Sequence, residues 1–239
     1  MNSEIFKAKL AEQGIDLSPK QLAQFERYYE LLVEWNQKIN LTAITDKEEV
    51  YLKHFYDSVM LLWMMPQPDY AVRLCDVGAG AGFPSIPLKI IHPEIELTIV
   101  DSLQKRIHFL ELLVQELGLE QVTCVHGRAE DVGQNPQYRG QFDLVTARAV
   151  AALNVLAEYC LPLTKQGGHF LALKAQKTET EIEQAKKAIA VLGAKLEQQS
   201  EGQLPIEQAA RHFILIKKTK ETPKQYPRKA GKPAKQPIQ

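Results

Sequence analysis

The chain has little that would tie it to a metal, a membrane or an oxidising compartment. Three cysteines, Cys75, Cys124 and Cys160, stand among 239 residues, and their spacing matches no metal site. Two fall in strand-like runs, so the expectation is buried free thiols in a reducing cytoplasm, with no metal. No apolar run is long enough to cross a bilayer, so no membrane partner is expected. The opening residues, MNSEIFKAKLAEQG, read as an amphipathic helix without the apolar core of a signal peptide. His92, His108, His126, His169 and His212 form no ligand set or triad. Net charge is also absent, because 29 Lys and Arg balance 29 Asp and Glu. With 45% hydrophobic and 24% charged residues, the chain fits one globular domain with an appendage.

The charge balance hides an asymmetry. Residues 217–239 hold eight Lys or Arg against one Glu, together with four prolines. Residues 219–239 are therefore expected to form a basic, mobile C-terminal tail. Such a tail can track a phosphate backbone, and Lys224, Arg228 and Lys229 are candidates for RNA contact. A solvated tail without a partner is the alternative.

Residues 1–66 read as an N-terminal helical subdomain. Leu22, Phe25, Tyr29, Leu32 and Trp35 recur at spacings of three and four, marking one face of a helix over about 19–38. Ser18-Pro19 supplies its N-cap and first-turn proline. Asp46 and Glu49 have the capping-box spacing and open a helix running to about Met64. Pro66 and Pro68 end it and mark the boundary. From there to 218, strands (72–77, 96–101, 121–125, 142–147, 168–173) alternate with helices (84–91, 103–117, 151–160, 177–192). Two further strands, about 194–199 and 211–218, are joined without a helix and are expected to be antiparallel. Alternation of this kind predicts a doubly wound, mainly parallel α/β sheet with right-handed crossovers. Five units followed by a hairpin is the layout of the class I methyltransferase (Rossmann-like) domain.

The most specific stretch is Asp76-Val-Gly-Ala-Gly-Ala-Gly82, which follows an apolar strand. Glycines at 78, 80 and 82 let the chain turn sharply and let a ligand approach bare backbone. The next strand ends in Asp101, whose carboxylate can accept from two ribose hydroxyls. A dinucleotide fingerprint would need its third glycine at position 83, which is Phe83. The following helix opens with Phe83-Pro84 and soon reaches Pro87, which removes donors that a pyrophosphate requires. S-adenosylmethionine, which carries no phosphate, is thus favoured over a nicotinamide or flavin cofactor. Asp76 would lie near its cationic amino-acid portion.

The remaining strand ends complete the candidate pocket. After the third come Ala129, Glu130 and Asp131. An acid there can accept from the adenine amino group, while a helix-capping cluster is the alternative. After the fourth comes Arg148, a candidate for contacting the cofactor, a phosphate or a guanine edge, with a surface ion pair as the alternative. After the fifth comes Lys174, a second cleft cation. Arg148 and Lys174 are the positioning candidates. Phe83 is expected either over the cofactor or stapled into the core. Lys105 and Arg106, on the first turns of the helix after Asp101, are RNA candidates or plain solvated charges. His54 and Asp57 read as a local hydrogen-bonded pair.

Several runs together resemble one family closely: Asp76 through Gly82-Phe-Pro-Ser-Ile-Pro-Leu88, Asp101-Ser-Leu-Gln-Lys-Arg106, Arg128-Ala-Glu130 and Thr146-Ala-Arg-Ala149. Trp35-Asn36 with Asn40-Leu-Thr42, and His54-Phe-Tyr-Asp-Ser58, match as well. The chain is similar to the bacterial 16S ribosomal RNA guanine-N7 methyltransferases of the small subunit, also called the glucose-inhibited division protein B family. The similarity covers nearly the whole chain. It implies that Gly78, Phe83, Ala129, Glu130 and Arg148 contact S-adenosylmethionine; Gly80, Gly82, Ser102 and Leu103 complete the candidate set. It also implies a guanine in the decoding region of 16S ribosomal RNA as target; the expected partner is that RNA or a small-subunit assembly intermediate, and the enzyme is expected to be a cytoplasmic monomer. The proline-rich basic tail is shared with only some members. Guanine N7 needs no deprotonation, so no acid–base residue is expected. A small-molecule methyltransferase and an adenosine-nucleotide-binding regulatory protein are the competing readings.

Overall fold

The computed structural model describes residues 1–65, 72–148, 151–174 and 179–239. Its frame is a seven-stranded sheet in the order β3-β2-β1-β4-β5-β7-β6. The strands are β1 (Arg73–Val77), β2 (Glu96–Asp101), β3 (Val122–His126), β4 (Phe142–Arg148), β5 (Thr164–Lys174), β6 (Ala194–Gln203) and β7 (Ala210–Lys218). β1 pairs in parallel with β2 and β4, while β7 runs antiparallel to both β5 and β6. The expected hairpin is present, and it reverses β7 against its neighbours.

Side chains alternate between two cores, as the period of two along a strand requires. Leu74, Leu144, Leu171 and Leu215 join the core on one face of the sheet. Cys75, Val145, Phe170, Ala172 and Ile214 join the core on the other. The first face is covered by α1 (Ser3–Ala11), α2 (Pro19–Asn36), α5 (Ser85–Ile91) and α6 (Gln104–Glu116). The second is covered by α8 (Leu153–Cys160) and α9 (Glu179–Val191). The N-terminal helices thus share a core with the sheet. The boundary expected at Pro66 and Pro68 lies outside the described residues.

Local chemistry explains where the helices begin. Ser18 caps α2 through a complete capping box with Gln21, and Pro19 occupies its first turn. Its buried face is centred on Phe25, Tyr28, Leu31 and Leu32, with Leu22, Tyr29 and Trp35 at the margin. Asp46 caps α3 (Lys47–Val50) by accepting from the Glu49 amide at 3.0 Å, but the Glu49 carboxylate turns to Lys53 instead of closing the box. The single helix expected from here to Met64 changes pitch. It passes through a π-helical turn at Tyr51–Tyr56, α4 (Asp57–Val59) and a 3-10 turn at Met60–Met64. The wider turn accompanies an aromatic cluster in which Tyr51 and Phe55 both pack on Phe6.

Two short helices were not anticipated: α7 (Ala129–Gln134) and α10 (Lys232–Lys235). The second belongs to the segment expected to be mobile. That segment is instead seated on the domain. Arg139 donates to the carbonyls of Thr222 and Tyr226 at 2.8 and 2.7 Å, and Gln134 donates to that of Pro227 at 2.8 Å. Pro227 lies so close to α7 that a Cβ on Gly133 would meet it at 2.9 Å. Proline-rich backbone has few N–H groups but keeps every carbonyl, and here the domain supplies the donors.

The glycine loop is fixed from the N-terminal side. The Tyr28 hydroxyl donates to the Ala81 carbonyl at 2.6 Å. Gly82 sits at φ +99°, and an added Cβ would meet Tyr28 Oη and Ile86 Cγ1 at 2.8 Å each. Gly82→Ala is therefore expected to destabilise the fold by about 1–3 kcal/mol or more, from backbone strain and overpacking together. Urea denaturation of the variant checks this, and an unchanged midpoint would refute it.

Candidate active site

The carboxyl ends of β1, β2, β3 and β4 open onto one cavity of about 550 Å³. Val77 and Gly78 contribute from the β1 turn, and Asp101, Ser102 and Arg106 from the β2 turn. Gly127, Arg128, Ala129 and Glu130 follow β3, and Arg148 closes β4. Tyr159 of α8 and two residues of the C-terminal segment, Gly231 and Ala234, complete the wall. The structure thus brings together Gly78, Asp101, Ser102, Ala129, Glu130 and Arg148 of the expected cofactor set. Arg106, read as an RNA candidate or a plain solvated charge, also lines this cavity, 3.6 Å from Asp101.

Asp101 is almost fully buried, yet it lines the cavity. One oxygen accepts from the Gly80 amide at 3.1 Å and the other from the Leu103 amide at 2.9 Å. A carboxylate has about four acceptor positions, so capacity is left for two hydroxyls. Gly80 thereby holds the acid without lining the cavity. Gly78 adopts φ +75° and donates to the Val100 carbonyl at 2.7 Å, which ties the β1 turn to β2.

Five expected residues have other surroundings, and one of them, Gly82, packs against Tyr28 and Ile86 outside the cavity. Asp76 is fully buried and accepts from the Ser85 amide at 3.2 Å, so it caps α5. A dinucleotide pyrophosphate would need that helix end, and the chain's own carboxylate occupies it. The Phe83 ring is stapled between Tyr28 and His54, with centroids at 5.3 and 4.5 Å, rather than lining the cavity. Leu103 is 51% exposed outside the cavity. Lys174 is not a free cleft cation. It donates to the Ala151 carbonyl at 2.7 Å and pairs with Glu181 at 2.9 Å, which ties the region after β4 to α9.

Arg148 is positioned by groups from three directions. Its guanidinium lies over the Phe83 ring, 5.0 Å from the centroid. Nη1 reaches Asp57 at 3.0 Å, and Nη2 approaches His54 Nδ1 at 3.4 Å. Asp57 is buried and also pairs with Arg211 of β7. His54 and Asp57 thus both turn to Arg148 instead of forming the expected local pair, and the ion pair that Arg148 makes is internal, not the surface pair weighed as the alternative. The His54 Nε2 meets Thr42 Oγ1 at 2.8 Å. Burial, reinforced by Arg148, pushes the His54 pKa down to about 3. Arg211 and Tyr159 carry no local sequence signal, and the sequence pairs Asp57 with His54 alone, because the partners that matter are 91 or more positions away or on another element. The i,i+3 spacing of His54 and Asp57 was the available signal for a shared partner.

The RNA candidates divide. Lys105, Lys224 and Lys229 are exposed. Arg228 is not available, because it forms a bidentate pair with the buried carboxylate of Glu158, at 2.6 and 2.9 Å. An enclosed carboxylate requires a cation, and the tail supplies it.

A sheet of this order with β7 reversed, a bare-backbone turn after β1 and an acid after β2 define a class I, S-adenosylmethionine-dependent methyltransferase. The donor set fits that cofactor: Asp101 retains acceptors, and the helix end after the glycine turn is closed to a phosphate. A SAM-dependent methyltransferase from Aquifex aeolicus superposes with TM-score 0.52 at 13% identity, covering 77% of this chain and 97% of that one. The M. jannaschii TYW2 structure in complex with AdoMet gives 0.53 at 15%, covering 68% and 74%. At such identities these likenesses speak for the fold alone.

Sequence comparison narrows the class. The GidB family model, rRNA small subunit methyltransferase G, matches residues 21–213. The chain is 59% identical over 238 residues to the ribosomal RNA small subunit methyltransferase G of Lactococcus lactis subsp. lactis (strain IL1403). It is 56% identical over 239 residues to that of Bacillus subtilis (strain 168), and both matches cover 100% of each chain. The chain belongs to this family of rRNA methyltransferases.

Burial raises the Asp76 carboxyl from 3.8 to about 7, outweighing the Ser85 hydrogen bonds and Arg148. The folded chain therefore holds a proton that the unfolded chain releases. The stability this group contributes is full below about pH 4 and is lost as pH rises through about 7. Asp76→Asn is expected to remove that loss. Its urea midpoint should fall less than that of the wild type between about pH 5 and about pH 8. Equal falls in the two proteins would count against it.

Proposed function

We propose that the chain transfers a methyl group from S-adenosylmethionine to N7 of one guanine in 16S ribosomal RNA. The transfer is a direct in-line displacement without a general base, and the enzyme acts in the cytoplasm. Family membership supports the substrate class. The observation that supports the mechanism is that Arg148 lines the cavity as a cation held by Asp57 and Phe83, while its neighbour His54, pushed down to about 3 by burial, is a poor proton acceptor near neutrality.

Guanine N7 has an in-plane lone pair and no proton, so alignment is the main demand. The cofactor supplies an electrophilic sulfonium methyl. Asp101, Ser102, Ala129 and Glu130 hold and orient the adenosine end, with Gly78 giving bare backbone at the turn. Arg148, backed by Asp57 and Phe83, presents a fixed cation at the cavity lip for a guanine edge or phosphate. The A-form major groove is deep and narrow, so the target guanine is expected in a loop or an opened helix. Lys105, Lys224 and Lys229 contribute backbone contacts.

The deciding experiment uses labelled S-adenosylmethionine with unmodified small-subunit RNA and, separately, with assembled subunits. Label at a single N7-methylguanine, mapped by cleavage at that base, is the expected result. Label on an exocyclic amine or a pyrimidine carbon would overturn the assignment. Arg148→Ala should lower kcat/KM by roughly a hundredfold, as misplacement of reactants does, and add no bell-shaped limb to the pH–rate profile. A new titrating limb near neutral pH would contradict base-free transfer. Replacing Lys105, Lys224 and Lys229 together with Gln should reduce the slope of log K against log salt by about 2. An unchanged slope removes these lysines from the RNA interface.

A further inference from the structure

We infer that the C-terminal segment around Arg228–Ala234 is a wall of the cofactor site, so that its docking and binding of the adenosyl cofactor are one linked equilibrium. This rests on the S-adenosylmethionine reading above and extends it to residues beyond 213, where the family model ends.

Three independent contacts converge on this segment. Arg228 is bound by Glu158 through its backbone amide at 2.8 Å and through its guanidinium at 2.6 and 2.9 Å. Glu158 lies on α8 with its side chain 1% exposed, so losing the tail would strand a buried charge. The neighbouring residue, Tyr159, lines the cavity. Three residues beyond Arg228, the Gly231 amide donates to Glu130 Oε1 at 2.7 Å. Glu130 is itself a cavity residue and a candidate for the adenine end. Gly231 is at φ +80° as the N-cap of α10, a left-handed conformation that glycine adopts without strain. Gly231 and Ala234 then face the same cavity as Asp101 and Arg148.

The contacts form a path from anchor to site. The Glu158–Arg228 pair sets where the strap crosses α8, and the Gly231 amide sets the Glu130 carboxylate. A ligand filling the cavity gains Gly231 and Ala234 as neighbours only while the strap is down. Linkage then requires the ligand to hold the strap down to the same degree. Thermal stability alone would not reveal this, because a merely structural strap would also raise it.

The test uses the full chain and S-adenosylhomocysteine as probe. Tryptic cleavage after Lys224 and Lys229 reports strap release, and calorimetry reports binding. Saturating probe is expected to slow cleavage at these sites at least about fivefold in the wild type, the lower end of typical linkage. Arg228→Ala should weaken probe binding by at least that factor, with Arg228→Lys recovering much of it. Ala234→Trp, at an exposed position that takes no part in the ion pair, should weaken binding while leaving the unfolding midpoint unchanged. The inference is overturned, with the cofactor reading intact, if the wild type binds the probe but cleavage is not slowed and Ala234→Trp binds equally well. Failure of the wild type to bind the probe would remove the cofactor reading and this inference with it.

Discussion

The site depends on how the turn after β1 is clamped. Its amides and carbonyls are claimed from opposite sides: Gly78 and Gly80 donate toward β2 and Asp101, while Ala81 accepts from Tyr28 of α2. Neither partner is local. Tyr28 is 53 positions away, and Asp101 is 21 positions from Gly80. A turn with three glycines is costly to order, because glycine loses the most backbone freedom on folding. Each clamp offsets some of that cost. The N-terminal helices are therefore integral to the site's scaffold. The same contacts carry on to Phe83, stacked on Tyr28, and from Phe83 to the guanidinium of Arg148.

Two acids of the same type illustrate how placement divides labour. Asp76 ends its hydrogen bonding on an amide of α5 and is wholly enclosed, so its charged form is disfavoured. Asp101 also takes backbone amides, but the cavity reaches it and Arg106 stands nearby. The first stabilises a turn and satisfies a helix end. The second both braces that turn and faces the ligand space. The acid of the glycine motif is thus a structural cap, and the chemistry that tells cofactors apart lies in what that cap denies to a phosphate.

Much of this was legible in the sequence, and the failures have a common cause. The alternation of strands and helices, the terminal hairpin and the glycine turn follow from periodicity and residue type, which are local signals. So does the capping box at Ser18. The change of pitch after Val50 was not legible, because the apolar period persists while the hydrogen-bond register widens. The strand-end position of Arg148, together with the family resemblance, points it to the site. Its fixing by Asp57, and the sharing of Asp57 with Arg211, depend on contacts spanning 91 and 154 positions. Lys174 is a cleft candidate because it ends a strand, and Phe83, open in the sequence between cofactor and core, is a cofactor candidate through the family resemblance. Strand-end position fixes where a backbone goes, but a long side chain turns toward the strongest partner within reach: an aromatic stack for Phe83, a carboxylate for Lys174.

The tail shows why composition misleads at its limit. Disorder is inferred when a segment has too little apolar surface to offset ordering entropy. That reasoning assumes burial of apolar area is what holds a segment. Residues 219–239 are held chiefly by charge and by carbonyls. Arg139 and Gln134 reach out to their backbone, and Glu158 and Glu130 receive Arg228 and Gly231. Apolar contact adds to this where Pro227 and Pro233 are buried. The positive excess of the tail and the negative excess elsewhere therefore partly neutralise each other within the fold, before any RNA arrives. Lys224 and Lys229 stay exposed outside these pairings, while Gly231 and Ala234 of the same segment line the cavity.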